Sequence, residues 1–407
     1  MRILDDDATD ESSMCDHRHH HHHRHELGKI YNGLAALEAT MDGGVDDDRW
    51  ERAMSLFREA ERNYLHGFVP MEEMSNDESG VNTAPPRRGG GTTDIISSSI
   101  EVVTKTAIER MTPRRVESLV NVRSNMGELL RKLGRYEAAA GMIDSALDVA
   151  RMALEVAHER SADDARKVDS TDLVTIADVV GRGLDEQRNS IVDLLLQKAG
   201  ILMSANSFDE AAEAYERALS YHVSFRRWNE GGDRALGQVP KQGTVLPANN
   251  TVVSNNPPKL DLAVATKIEA TIRHNLGYAL AQIGQDALSL EHYAASLAIK
   301  RHIVGDMHLE VANTLMDMGA LIGGPLRDFT KALNCFKEAL YIYRANLEEC
   351  SRARDENRSA TTSTQTFFDD EESDVINMSI EKALKNISLI DAALLKDRDG
   401  ASSNKRR

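Results

Sequence analysis

The sequence predicts an all-α protein made of stacked helical hairpins, on three observations. Alanine and leucine are frequent, while aromatics make up 5% of the 407 residues and prolines number nine; that mix favours helices over the aromatic and β-branched residues that sheets prefer. A small residue, another twelve positions on and a third seven beyond recur as a set in four places. Glycine-, proline- and asparagine-rich stretches punctuate the chain between these sets.

In 120–153 the set is Gly127, Ala139 and Ala146, with Tyr136 opening the second half and Ile143 inside it. In 192–225 it is Ala199, Ala211 and Ala218, with Phe208 and Tyr215. In 270–303 it is Gly277, Ser289 and Ser296, with Tyr293, and Asp286 stands where the first aromatic would be. In 312–346 it is Gly319, Ala332 and Ala339, with Phe329, Phe336 and one extra residue after Gly319. Trp50, Ala53, Phe57 and Ala60 repeat the second half near the N-terminus, after a first half around Ile30 to Met41.

Each set reads as two antiparallel helices. The small residue of the first helix lets the second cross closely, and small residues seven apart share one face that admits the next hairpin. Gly134 and Gly284 fall where a first helix must end, because glycine accepts the left-handed cap conformation. No hairpin buries its apolar face alone, so hairpins stack.

Composition narrows the function. Formal net charge is −16, against phosphate-backbone binding by Lys and Arg. Cys15, Cys335 and Cys350 are too few for a disulfide framework or a four-cysteine metal site, which makes a reducing compartment the default. The opening residues Met1 to Asp7 lack a signal-peptide apolar stretch, and no apolar run approaches the roughly 20 residues of a membrane span. A cytoplasmic protein is expected. No Gly-x-x-x-x-Gly-Lys loop, Gly-x-Ser-x-Gly elbow or His-Glu-x-x-His is present, so neither catalysis nor a cofactor is expected.

Asn125 to Leu130 followed by Gly134 to Ala139 resembles a tetratricopeptide repeat (TPR). Gly277 and Gly319 are 42 apart, with Lys300-Arg301-His302-Ile303-Val304-Gly305, His308, Val311-Ala312 and Leu315 between them, which resembles the longer repeats of kinesin light chains and nephrocystin-like proteins. The resemblance covers about 200 of the 407 residues. It implies an interrupted TPR-type helical-hairpin solenoid, a right-handed superhelix with disordered tails and loops.

The expected organisation is a disordered His-rich tail (1–25), a degenerate helical hairpin (26–68), a linker (69–93) and a TPR-like array (94–227). A flexible linker (228–258), light-chain-like units (259–350), an acidic disordered loop (351–374), a closing helix (375–396) and a disordered basic tail (397–407) follow. The polar stretch 161–170 also reads as irregular.

The resemblance implies a scaffold that binds proteins or peptides on the concave face, lined by first helices. The positions turned away from the apolar seam are Asn121, Asn125, Glu128 and Arg131, then His274, Asn275 and Tyr278, then Asn313 and Asp317. Asparagine suits this work because its amide both donates to and accepts from a peptide backbone. The alternative at each position is an ordinary solvated helix residue.

Two further motifs stand apart. His17-Arg18 and the run His19, His20, His21, His22 and His23, then Arg24-His25, offer imidazoles to zinc, nickel or copper. A metal-binding or metal-responsive protein is therefore the alternative function, set against a low-complexity tract. Thr366, Phe367, Phe368 and Asp369 open an acidic run resembling the two-phenylalanine motif that docks on endoplasmic-reticulum receptors with major-sperm-protein domains; the alternative is a solvated acidic loop.

Overall fold

The computed structural model describes residues 8–40, 47–68, 103–167, 173–230, 266–359 and 366–404. Among them every regular element is an α-helix, twelve in all. They are α1 (Ala8–Thr40), α2 (Asp47–Leu65), α3 (Lys105–Arg110), α4 (Pro113–Lys132), α5 (Tyr136–Lys167) and α6 (Leu173–Ser204). Then come α7 (Phe208–Glu230), α8 (Lys267–Gln282), α9 (Asp286–Val304), α10 (Leu309–Gly323), α11 (Phe329–Ser359) and α12 (Thr366–Asn404). The chain divides into two compact units, Met1–Ser207 and Phe208–Arg407. None of the described helices is long and apolar enough to cross a membrane.

In the first unit, α1 pairs with α2, α4 with α5, and α6 packs on α5. The α4–α5 crossing is set by the small residues: a Cβ added at Gly127 would lie 2.7 Å from Ile143 Cδ1 and 3.3 Å from the Ala139 carbonyl oxygen. Ala139, Ile143 and Ala146 are fully buried beneath that crossing. At the α1–α2 pair Gly28 does the same work, its would-be Cβ falling on the Tyr64 ring, and Ala53, Phe57 and Ala60 are buried in α2. Arg115 at the start of α4 donates from Nε to the Tyr64 carbonyl (2.6 Å) and from Nη2 to that of Asn63 (2.7 Å). It thereby satisfies last-turn carbonyls of α2 that no intrahelical N–H can reach, with its guanidinium over the Phe68 ring.

In the second unit, α7 packs on α8, α8 pairs with α9, α10 with α11, and α12 lies on α11. Gly277 meets Tyr293 and the Ser289 carbonyl, and Gly319 meets the Phe336 ring. The serines at the small positions of α9 are fully buried, and their hydroxyls donate to carbonyls of α8: Ser289 to Gly277 O (2.6 Å) and Ser296 to Ala270 O (2.7 Å). Serine thus fills an alanine position without leaving a buried hydroxyl unsatisfied. Ile376, Ala383 and Ile390 of α12 close the apolar cluster begun by Leu315, Phe336 and Ala339.

The turns share one device. Gly134 (φ 72°) and Gly284 (φ 77°) take the left-handed conformation, and the following amides, Arg135 N and Gln285 N, return to Leu130 O and Leu280 O. These are Schellman-type closures. After α6, Asn206 (φ 59°) replaces glycine, and Ser207 N bonds Leu202 O.

Helix boundaries differ from the sequence reading in five places, one being α7, which runs to Glu230 and so takes 228–230 from the linker expected at 228–258. The tail expected at 1–25 is helical from Ala8, α5 runs to Lys167 through the stretch read as irregular, α11 runs to Ser359, and α12 spans Thr366–Asn404 rather than 375–396. The acidic loop expected at 351–374 is therefore helical over 351–359 and 366–374. Apolar periodicity fades in these stretches, but Arg, Glu and Ala remain good helix formers, and adding a turn to an existing helix costs little. Residues 69–93 lie outside the described residues, as do 231–258 of the second expected linker and the last three of the tail.

Candidate functional site

The first-helix residues of the second unit come together. His274 of α8, Asn313, Met316 and Asp317 of α10, Tyr343 of α11, and Ser379 and Lys382 of α12 line a groove of about 300 Å³. Three of these, His274, Asn313 and Asp317, are positions the sequence marks as facing away from the apolar seam.

A polar network runs beneath the groove. Lys300 of α9, almost fully buried, donates to Thr314 Oγ1 at 2.9 Å. Thr314 spends its own proton on the Glu310 carbonyl (2.9 Å) and lies 3.4 Å from His274 Nδ1. His274 Nε2 stands 3.4 Å from Asp317 Oδ2, and its ring meets Tyr293 edge-on at 5.4 Å. The Tyr343 hydroxyl donates to Asn313 Oδ1 at 2.6 Å.

Burial sets the protonation of these groups. It lowers the His274 pKa to about 4, reinforced by the nearby Lys300 charge, so His274 is neutral at neutral pH. It also raises the Asp317 carboxyl, a rise that Lys382 and Lys300 oppose. The Lys300 ammonium is pushed down by burial, and the Tyr343 phenol up to about 12. Glu310 is held below the usual carboxylate range mainly by its bond to Lys267.

The remaining marked residues are placed differently. Tyr278, one turn after His274 on α8, is exposed. Asn275 is half-buried and hydrogen-bonds Tyr215 of α7, which commits it to packing between neighbouring helices. In the first unit, Asn125 Nδ2 donates to Asn32 Oδ1 of α1 (3.1 Å). Glu128 and Arg131 pair with each other at 2.6 and 2.8 Å, and Asn121 is exposed.

Thr366, Phe367, Phe368 and Asp369 form the start of α12; their side chains lie outside the described residues, as do those of His19 to His22 in α1. Among the described residues no group of three or more His, Cys, Asp or Glu could hold a metal ion.

Sequence reasoning missed Lys300, Thr314, Tyr343, Ser379 and Lys382. A signal existed for two of them. Lys300 and Tyr343 each stand four residues after the third small residue of their hairpins, as His222 does after Ala218. All three reach a polar side chain in or capping a first helix: His222 to the α8 cap Thr266 (2.7 Å), Lys300 to Thr314 (2.9 Å) and Tyr343 to Asn313 (2.6 Å).

Comparison with known proteins supports the repeat. A family model described as tetratricopeptide repeat matches residues 119–160 and 270–310, the stretches that hold the α4–α5 and α8–α9 crossings. A search of curated proteins gives no match. Among solved structures, BtubC (BKLC) from P. vanneervenii is 18% identical, covering 69% of this chain and 83% of that one at a TM-score of 0.35. A putative kinesin light chain with nearly identical TPR-like repeats from Podosopora anserina is 10% identical, covering 70% and 98% at 0.34. YrrB, a TPR protein with an unusual peptide-binding site, is 14% identical, covering 54% and 84% at 0.23. TM-scores this low carry nothing about how the whole chain is arranged or what it binds. The matched segments and the glycine-centred crossings inside them identify the chain as an all-helical protein that carries tetratricopeptide repeats.

Proposed function

We propose that the protein is a non-catalytic protein-interaction scaffold, and that the groove between α8, α10 and α12 receives a peptide segment of its partner. The observation that carries this reading is the convergence of His274, Asn313 and Asp317, from two successive first helices, on one groove. The groove has the means to hold a backbone. With Asn313 Oδ1 engaged by Tyr343, its Nδ2 group is left to donate to a peptide carbonyl. Neutral His274 and the half-buried Asp317 supply a polar floor, and Tyr278, exposed one turn further along α8 from His274, supplies an apolar platform. Aromatic side chains of that kind anchor interfaces because they bury much area for few rotatable bonds. The α4 residues Asn121, Asn125, Glu128 and Arg131 would form a second, weaker surface, since most are already hydrogen-bonded.

The test is comparative affinity capture with the full chain as bait. An Asn313→Ala/Asp317→Ala variant should lose the partners that wild type retains, while Lys337→Ala, an exposed change on α11, should keep them. Identical partner sets from wild type and the double variant would end this reading. Docking of Thr366 to Asp369 on an endoplasmic-reticulum receptor is a separate proposal, testable by pull-down with a 360–376 peptide and its Phe367→Ala/Phe368→Ala counterpart.

A further inference from the structure

The last described helix, α12, has three sides, and the packing of the second unit uses two of them. Ile376, Ala383 and Ile390 complete the apolar cluster against α11, while Ser379 and Lys382 face the groove. The third side is exposed but only partly polar. Met378, Leu384 and Leu389 lie on it with 62%, 43% and 58% of their surface open, among exposed Glu381, Lys385, Ser388 and Ala392. At about 100° per residue these positions all fall within about 140° of the helix surface. A helix that ends a stack of hairpins ordinarily turns a polar side outward. Clustered large apolar side chains on such a side mark a contact surface.

The charges on this side indicate what covers it. They run from acidic to basic along the helix: Asp374 and Glu381 come first, Lys385 and Lys396 later, all exposed. Lys382 and Asp391 fall at the two margins. A parallel copy of the same helix would set like charge beside like charge, whereas an antiparallel copy sets acid opposite base. Reversing α12 about the level of Ala383 brings Glu381 opposite Lys385 of the second copy, twice by symmetry. It also brings Met378 within one residue of Leu389, and Asp374 opposite Ala392, one turn from Lys396. The small side chains of Ser388 and Ala392 leave room for the two helices to approach.

We propose that α12 pairs antiparallel with α12 of a second copy of this chain, centred at the level of Ala383, so that Glu381 of each copy meets Lys385 of the other. The contact is a two-fold one, with the same patch on both partners, and it closes at two copies. It engages far fewer than the 20–30 residues a side of a standard interface, so the dimer is weak and forms at micromolar or higher concentration. The groove lies on a different side of α12 and stays open in the pair, so this inference does not rest on the peptide-binding reading.

Sedimentation velocity of the full chain from about 1 to about 300 µM tests it, a range suited to weak association. Wild type should pass from monomer to dimer across that range. Glu381→Lys sets lysine against lysine, and Lys385→Glu sets glutamate against glutamate. Each variant alone should dimerise about tenfold more weakly or worse, as like charges brought together do. An equimolar mixture of the two should dimerise as wild type does, because acid meets base at both pairs of the mixed dimer. Met378→Gln/Leu389→Gln should stay monomeric. Far-UV circular dichroism should be unchanged in all of these variants, because every altered side chain is exposed. Wild type that remains monomeric throughout the range would overturn the proposal. Dimers indifferent to the charge reversals or to the Met378→Gln/Leu389→Gln change, or a mixture no better than its components, would place the contact elsewhere and overturn it as well.

Discussion

Replacing Gly127 with alanine tests the hairpin crossing at its tightest point. The added Cβ would lie 2.7 Å from Ile143 Cδ1, 3.1 Å from Cγ1 and 3.3 Å from the Ala139 carbonyl oxygen. Carbon atoms pack at about 3.5–4.0 Å, so either the end of the Ile143 side chain shifts by about 1 Å or α4 and α5 part at the crossing. Ile143 and Ala139 are fully buried, so any shift must be taken up inside the packed core. Such overpacking costs about 1–3 kcal/mol. Against this, alanine is about 1 kcal/mol better than glycine in a helix interior. The net expectation is a loss of about 0–2 kcal/mol.

Gly141 supplies the internal control. It sits in α5 of the same hairpin, and a Cβ there meets nothing within 4 Å, so Gly141→Ala should stabilise by about 0.5–1 kcal/mol. Urea unfolding followed by circular dichroism, with hydrogen exchange read on α4 and α5 amides, compares the two variants. If Gly127→Ala protects the hairpin as much as Gly141→Ala does, glycine is not there for close approach, and the reasoning fails.

Other expectations follow from the same contacts. Arg115→Ala should destabilise the first unit by about 2–3 kcal/mol, since it strips charged hydrogen bonds from buried α2 carbonyls; Arg115→Lys should not restore them, because an ammonium lacks the guanidinium fork. Thermal melts of both variants check this. Tyr343→Phe should cost about 1 kcal/mol through the lost bond to Asn313, read by urea unfolding, and should weaken partner binding at the groove. Burial lowers both His274 and His292 to a pKa of about 4 from the ordinary 6.5. Between those values the unfolded chain binds protons that the folded chain does not, so stability falls as pH drops from about 6.5 towards 4. The raised Asp317 carboxyl acts in the opposite sense and offsets part of the slope. Urea midpoints measured across this range should show a shallower pH dependence in a His274→Gln/His292→Gln variant.

The hairpins were legible because their cause is local and repeated: Gly127, Gly277 and Gly319 are small where a helix must cross, and the matching small residues follow at fixed offsets. Helix ends were less legible. The extensions of α1, α11 and α12 contain no apolar period to announce them, only residues that tolerate a helix already begun. The groove was half legible. His274, Asn313 and Asp317 could be placed on a face by counting from the seam, but Lys300 and Tyr343 reach Thr314 and Asn313 across helices, a tertiary pairing that spacing along one helix does not encode. Asn275 shows the converse: its register is that of a groove residue, yet Tyr215 claims its side chain. Buried Arg123 and Arg273, each four residues before a crossing glycine, also escaped the reading, because their partners Glu61 and Glu269 lie on a neighbouring helix in one case and on the same helix in the other.

Site-specific photo-crosslinking most directly asks whether a partner lies along the first helices of the second unit. Tyr278→p-benzoylphenylalanine places the probe on the exposed face of α8 one turn from His274, and Glu338→p-benzoylphenylalanine places it on α11, where Glu338 pairs with Arg301 of α9. Partner adducts from position 278 and none from 338 are the predicted result. Adducts formed mainly from 338 would put the partner on the second helices and contradict the scaffold reading of the groove.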